Sequence, residues 1–339
     1  MDTLSHILDS KIPDKGEIAI VFFENCNLQC PMCPQDHSSL IGLSKEEILA
    51  KVDIIKNFFS NSSRSYFTLN IMGGELFQDS LLEKYLPIYS LFIYQVSLLS
   101  QEMNKSVDFN FLSNLVFTKT YLVEEWLLKH NLKLSVSYDR HGRFNKTDLL
   151  IFKSNIEKLK DVIRNISIVA THDAVKTLMT IGDPYFNYLY KTFDCYWDHL
   201  VPFPGIISPT KKELYDFNIF LLENYPKCKN LTAFINQQSF NEMNPELAQV
   251  ASDYILITPT DVSTTCHIYE NSFQEPSVPL ATSTLVTERF LNEYKCLSCE
   301  YYSRCPLDCL MRDDWIDPEN VLNGCIYSET FKYVESKWI

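Results

Sequence analysis

The sequence predicts an α/β protein: a partial (β/α)6 barrel followed by a small cysteine-rich segment. Strand-like and helix-like stretches alternate through the first two-thirds of the 339 residues, and repeated βα units imply a parallel sheet with ligand sites at the carboxyl ends of its strands. Hydrophobic residues make up 46% of the chain, enough for a substantial core. The eleven cysteines are segregated. Three lie between Cys26 and Cys33, six between Cys266 and Cys325, and only Cys195 and Cys228 stand alone. This divides the chain into a barrel over 1–210, a helical linker over 211–250 and a C-terminal cysteine domain over 251–339.

The elements follow in order. Ile18 to Phe23 is a short apolar strand that stops just before the first cysteines. Ser44 and Glu47 form a capping box at the head of a helix reaching about Phe59. Tyr66 to Met72 alternates as a strand and runs into Gly73-Gly74-Glu75. Leu81 to Leu99 is a long apolar helix. Val107 to Leu112 is a strand, Thr120 to Lys129 a helix and Leu132 to Tyr138 a strand. Lys153 to Arg164 reads as helical and Ile166 to Ala170 as a strand, with a sixth strand near Phe193 to Leu200. Helical character over Lys211 to Leu247 forms the linker, and Tyr254 to Thr258 is strand-like.

Charge and composition exclude several classes. The net charge is −13 and no basic stripe is present, which argues against a nucleic-acid partner. No positively charged apolar leader opens the chain. The Leu81–Leu99 stretch is interrupted by Glu83, Lys84, Pro87 and Gln95, so it reads as a buried helix and not a membrane span. Eleven cysteines without a leader point to metal or redox chemistry in a reducing, cytoplasmic compartment.

The run Cys26-Asn-Leu-Gln-Cys30-Pro-Met-Cys33 has the spacing C-x3-C-x2-C. Soft thiolates suit iron, and a cube of four irons takes four ligands. Only three are present here, so one iron keeps an open position. Zinc, which favours paired C-x2-C knuckles with four ligands, and three unrelated cysteines are the other readings. The spacing resembles that of the radical S-adenosylmethionine (radical SAM) superfamily, whose bulky apolar residue before the last cysteine is matched by Met32. The resemblance implies a TIM-like partial barrel and a [4Fe–4S] cluster whose open iron chelates SAM. It also implies reductive cleavage of SAM to a 5′-deoxyadenosyl radical, with an electron donor such as flavodoxin or ferredoxin.

Further motifs support it. Among only eight glycines, the sole adjacent pair, Gly73-Gly74, precedes Glu75. Adjacent glycines permit close backbone approach and a carboxylate accepts from a cation; a plain strand-to-helix turn is the alternative. The triplet resembles the family's GGE motif, which binds the SAM amino group. Ser113 and Asn114 follow the third strand, while Ser137, Asp139 and Arg143 follow the fourth. The resemblance implies that such residues hold the SAM ribose and carboxylate: Ser137 or Asp139 the hydroxyls, Arg143 the carboxylate through its bidentate fork. Ordinary loop polarity is the alternative. Cys195 falls near the sixth strand, where it is either a hydrogen donor to a substrate radical or a buried structural thiol.

The C-terminal cysteines read Cys296-x2-Cys299-x5-Cys305-x3-Cys309, then Cys325, with Cys266 upstream. This resembles the SPASM (or shorter twitch) extension of peptide-modifying radical SAM enzymes. Carried over, Cys296, Cys299, Cys305 and Cys325 bind one auxiliary [4Fe–4S] cluster, and Cys309 with Cys266 serves a second. The family's G-x4-C element is missing between Cys266 and Cys296. A second cluster would therefore be absent, or completed by Cys195, Cys228, His267 or substrate. A zinc module is the alternative for the region.

The function expected is a radical SAM enzyme that modifies a ribosomally made peptide by crosslinking, epimerisation or oxidation. The alternatives are a radical SAM dehydrogenase or rearrangement enzyme acting on a sugar or other small metabolite, and a non-catalytic iron–sulfur or zinc protein. Seventeen residues before the first strand leave no room for a winged-helix leader-binding domain, so leader recognition is expected to use another surface or a separate protein.

Overall fold

A computed structural model describes residues 15–33, 35–139, 142–199, 209–231, 234–235, 254–263, 298–301 and 325–338. These fall into two compact units, one of 15–167 with 254–263 and one of 168–235 with 298–301 and 325–338.

In the first unit, strands and helices alternate: β1 (Lys15–Val21), α1 (Lys45–Asn61), β2 (Tyr66–Met72), α2 (Leu82–Glu102), β3 (Ser106–Ser113), α3 (Thr120–His130), β4 (Leu134–Ser137), α4 (Lys146–Leu159) and β5 (Ile163–Ala170). β5 crosses the boundary between the units. β7 (Tyr254–Ile257) and β8 (Val262–Ser263) complete the set. β1 pairs in parallel with β2 and with β7, and the parallel pairing continues through β3 and β4 to β5, while β8 is antiparallel to β7. This is the α/β, parallel-sheet arrangement of a partial TIM-like barrel. The strand at 254–257, expected in the C-terminal domain, lies in this sheet beside β1.

One face of the sheet is apolar and covered by the helices. Phe67 of β2 meets Phe59 of α1 at 4.6 Å between ring centroids, and Phe111 of β3 meets Trp126 of α3 edge-on at 5.1 Å. α2 buries Tyr85, Tyr89, Phe92 and Val96. Tyr89 and Phe92 pack against Phe22, just beyond β1. Among the described residues no helix is long and apolar enough to cross a membrane.

The expected helix over Lys153–Arg164 begins and ends earlier. Asn145 caps it, accepting from Thr147 and Asp148 N–H while Asp148 answers to the Asn145 N–H, a capping box that fixes the start. Arg164 belongs to β5, where its guanidinium pairs with both oxygens of Asp108 on β3 at 2.5 and 2.9 Å.

The opposite face carries a part-buried polar row. Ser135 donates to Asn110 (2.7 Å), Asn110 to Asn70 (2.8 Å) and Asn70 to Glu17 Oε1 (2.6 Å). Glu17 Oε2 has no partner among the described residues. Burial pushes the Glu17 carboxyl up to about 7, against the Asn70 hydrogen bond and the Lys15 charge. A carboxyl whose folded pKa is raised contributes stability that is complete below the unfolded pKa and is lost as pH rises through the folded one. Urea denaturation of the wild type and Glu17→Gln should therefore diverge between about pH 4.5 and 7. The variant is expected to keep roughly 3 kcal/mol that the wild type loses, since each pKa unit is worth about 1.4 kcal/mol. Parallel pH profiles would refute this.

The second unit holds α5 (His172–Thr180), α6 (Pro184–Thr192), β6 (Cys195–His199), α7 (Lys211–Asn224) and α8 (Ile326–Trp338). α7 covers the start of the expected linker and ends two residues ahead of Pro226, which disfavours helix in the residue before it; the linker's remainder over 236–247 lies outside the described residues. Phe186, Trp197, Phe217 and Tyr225 form its aromatic core. Tyr301 stacks on Phe331 of α8 at 4.9 Å.

Candidate active site

The site is assembled from four loops that follow the carboxyl ends of β1, β2, β3 and β4. The first carries the cysteines. Phe22 and Phe23 are fully buried and anchor its start. Its far side folds back: the Asp36 N–H donates to Glu24 Oε2 at 2.8 Å and the Cys26 N–H to the His37 carbonyl at 3.2 Å. Within it the Cys33 N–H donates to the Cys30 carbonyl (3.0 Å) and the Leu28 N–H points at Cys26 Sγ (3.4 Å). Cys30 and Met32 are buried.

The three thiols lie within one another's electrostatic field, and burial pushes all of them up: Cys26 to about 12, Cys33 to about 11, and Cys30 upward against the nearby Arg143 charge. A desolvated thiol gives up its proton readily only when a cation takes the proton's place. Three soft donors on one loop therefore fit an iron–sulfur cluster. Among the described residues no three His, Cys, Asp or Glu side chains converge enough to share a single ion. A cubane makes no such demand, because each thiolate bonds a different iron.

The loop after β2 is fastened to the cysteine loop through its backbone. The Gly74 N–H donates to the Phe23 carbonyl at 2.8 Å and the Glu75 N–H to the Asn25 carbonyl at 3.1 Å. A Cβ on Gly74 would lie 2.0 Å from the Asn25 carbonyl oxygen, and one on Gly73 3.1 Å from that of Phe23. The close approach these glycines permit is to the cysteine loop itself. Glu75 is buried. Its Oε1 accepts from Phe77 N–H and Ser113 Oγ, both at 2.9 Å, and its Oε2 from the Asn114 N–H at 2.6 Å. Burial raises its pKa to about 7 despite these bonds. Glu75 thus ties the loop after β2 to the end of β3.

Asn114 reaches the cysteines. Its Nδ2 donates to Asn27 Oδ1 at 3.0 Å and lies 3.8 Å from Cys26 Sγ. Asn27 in turn donates to the Val116 carbonyl at 2.5 Å. From the loop after β4, Arg143 grips Asp139 Oδ2 through Nε (2.8 Å) and Nη2 (2.6 Å). Its charge is felt at Cys30, Cys33 and Glu75. Gly142, at φ +87°, brings this loop against Pro31, 3.3 Å from where a Cβ would stand. Ser137 ends β4 half-buried, opposite Ser167 of β5.

The structure therefore brings together Cys26, Cys30, Cys33, Met32, Gly73, Gly74, Glu75, Ser113, Asn114, Asp139 and Arg143 on neighbouring loops of one unit. It adds Asn27 and Gln78, which sequence reasoning missed. Gln78 Nε2 donates to the Asn25 backbone (3.2 Å) and side chain (3.0 Å). Its only sequence signal is a polar residue three positions beyond Glu75. In the second unit Cys195 opens β6, buried, with its thiol pushed up to about 12 by burial, and Cys228 lies in its field. Cys299 and Cys325 are partly exposed cysteines of that unit. Cys266, Cys296, Cys305 and Cys309 lie outside the described residues.

Comparison with solved structures gives extensive matches. Native anSMEcpe with bound AdoMet aligns over 95% of this chain and 97% of its own, with a TM-score of 0.59 at 13% identity. Its complex with AdoMet and Cp18Cys peptide gives 0.59 at 14%. SuiB of Streptococcus suis gives 0.51 at 13% identity over 91% of this chain and 78% of its own. The chain thus shares the fold of anSMEcpe and SuiB. The four loops described above lie at the carboxyl ends of the strands, where α/β sheets bind ligands. No family model matches the chain. A mouse protein, interferon-induced very large GTPase 1, is 25% identical over 169 residues, which span 47% of this chain but 7% of that protein.

Proposed function

We propose that this chain is a radical SAM enzyme that modifies a ribosomally made peptide by hydrogen abstraction. The observation that carries the reading is the convergence of the loops after β2, β3 and β4 on a β1 loop bearing Cys26, Cys30 and Cys33. These three would hold a [4Fe–4S] cluster and leave one iron open to SAM. When bound, the cluster and SAM together supply the adenosyl radical, given one electron from a donor of the flavodoxin or ferredoxin class.

The chain's own residues bind, orient and shield. Burial of Cys30, Met32 and Glu75 keeps water from the site. Gly73, Gly74, Glu75, Ser113, Asn114, Ser137 and Asp139 would hold the SAM amino group and ribose. A guanidinium has five N–H donors, of which Asp139 takes two, so Arg143 suits the SAM carboxylate. Cys296, Cys299, Cys305 and Cys325 would hold an auxiliary cluster, with Cys309 and Cys266 contributing to a second. Cys195 is a hydrogen-donor candidate. The peptide substrate is favoured by the likeness to anSMEcpe, which has been solved with AdoMet and bound peptides.

The test is direct. Anaerobically reconstituted protein, given dithionite and SAM, should form 5′-deoxyadenosine. A candidate peptide should then lose two hydrogens, or take up solvent deuterium at unchanged composition. No 5′-deoxyadenosine from protein that carries iron and sulfide would overturn the reading.

A further inference from the structure

We propose that Asn114 raises the reduction potential of the N-terminal iron–sulfur centre by donating an N–H···S hydrogen bond to Cys26. The inference rests on the cluster assignment above and is separate from any contact of Asn114 with SAM. The orientation of the Asn114 carboxamide is fixed by its partners. Its Oδ1 accepts the Val116 N–H at 2.8 Å, which leaves Nδ2 facing the cysteine loop. There Nδ2 is 3.0 Å from Asn27 Oδ1 and 3.8 Å from Cys26 Sγ, within range for a bond to sulfur. The backbone is held as well, through the Asn114 N–H to Glu75 Oε2 at 2.6 Å. Asn114 is 5% exposed, and such bonds strengthen where water is excluded. The Leu28 N–H also points at Cys26 Sγ, at 3.4 Å. Cys26 therefore has one donor from its own loop and one from a strand end 88 residues away.

Hydrogen bonds to cluster sulfurs are among the levers that set reduction potential. A donor withdraws charge from the thiolate. Reduction adds one electron to the centre, supplied by dithionite or a flavodoxin-class donor, and neither forms nor breaks a covalent bond. The more negative state gains more from the N–H, so Asn114 makes the centre easier to reduce.

The experiment is a redox titration of the reconstituted full chain without SAM, followed by electron paramagnetic resonance of the signal that SAM addition perturbs. Asn114→Ser keeps an acceptor for the Val116 N–H, as serine does in local turns, but is too short to reach Cys26. Asn114→Ala removes both interactions. Both variants are expected to keep wild-type iron content and to show a ratio of reduced to oxidised centre about tenfold lower at a fixed poise. That is about 59 mV for a one-electron couple. A wild-type potential in Asn114→Ser overturns the proposal, because the turn and not the N–H···S contact would then be the role of Asn114. If Asn114→Ser holds no iron, Asn27→Ala decides. It leaves Nδ2 unshared with Asn27, so the potential should rise, and an unchanged value overturns the proposal. A wild type that assembles no cluster sinks the cluster assignment itself, an outcome distinguishable from an unshifted potential.

Discussion

Replacing Cys26, Cys30 and Cys33 together by alanine is expected to abolish 5′-deoxyadenosine formation while leaving the fold intact. The three side chains contribute little to stability of the apoprotein. They are small, their contacts are the weak ones of a thiol, and the loop is held by backbone bonds to His37 and the Glu24 carboxylate. Each truncation should cost about 1 kcal/mol or less. Chemistry is another matter. Loss of a residue that merely orients a metal ligand costs about 10–100-fold, and loss of the ligands themselves should exceed that and reduce activity to background. Iron analysis adds a second reading. If the C-terminal cysteines carry an auxiliary cluster, the triple variant should retain about four irons per chain; if they do not, iron should vanish. A variant that still cleaves SAM would remove the N-terminal loop from the chemistry.

How far the sequence foretold this arrangement depends on whether the signal is local. β2 was legible to the residue, because Tyr66–Met72 alternates cleanly and stops at Gly73. α1 was legible to its cap, because Ser44 and Glu47 form a capping box before an apolar period. The equivalent box at Asn145 and Asp148 leads into Leu149-Leu150-Ile151-Phe152, an unbroken apolar run without a helical period, and α4 starts seven residues before the Lys153 expected. α5 and α6 were missed. They span only nine residues each, although Thr171 and Asp183-Pro184 carry ordinary start signals. The pairing of Ile18 with Ile255 had no sequence signature, since a parallel partnership across so much chain is decided by tertiary packing. The site shows the same division. The C-x3-C-x2-C spacing is local and speaks for itself. The bonds of Gln78 to Asn25 and of Asn114 to Asn27 connect residues 53 and 87 apart, and only folding brings them together. Asp139 and Arg143 were each read as reaching for a ligand, and the structure pairs them with one another.

Gly74→Ala is expected to be the most damaging single substitution outside the cysteines. A methyl group there would stand 2.0 Å from the Asn25 carbonyl oxygen and 2.2 Å from that of Glu24. Both are backbone atoms, so no side chain can swing aside. The cysteine loop and the loop after β2 must separate by about 1 Å or more to reach ordinary contact. Separation strains the Gly74–Phe23 and Glu75–Asn25 hydrogen bonds and draws Gln78 away from Asn25. Overpacking costs typically 1–3 kcal/mol, and two weakened buried bonds add about 1 kcal/mol or more each. The sum, about 4 kcal/mol, belongs to the exceptional class of point mutations. It falls where Cys26 is positioned, so cluster loading should fall with stability. Gly182→Ala is the matched control. Gly182 adopts φ +78°, but nothing lies within 4 Å of a Cβ built there, so alanine should cost only the left-handed penalty of about 1–2 kcal/mol. Chemical denaturation and iron content of both variants decide the matter. Equal stability and full iron in Gly74→Ala would show that the loops can part freely, and that the glycine pair is not what holds the cysteines against the end of β2.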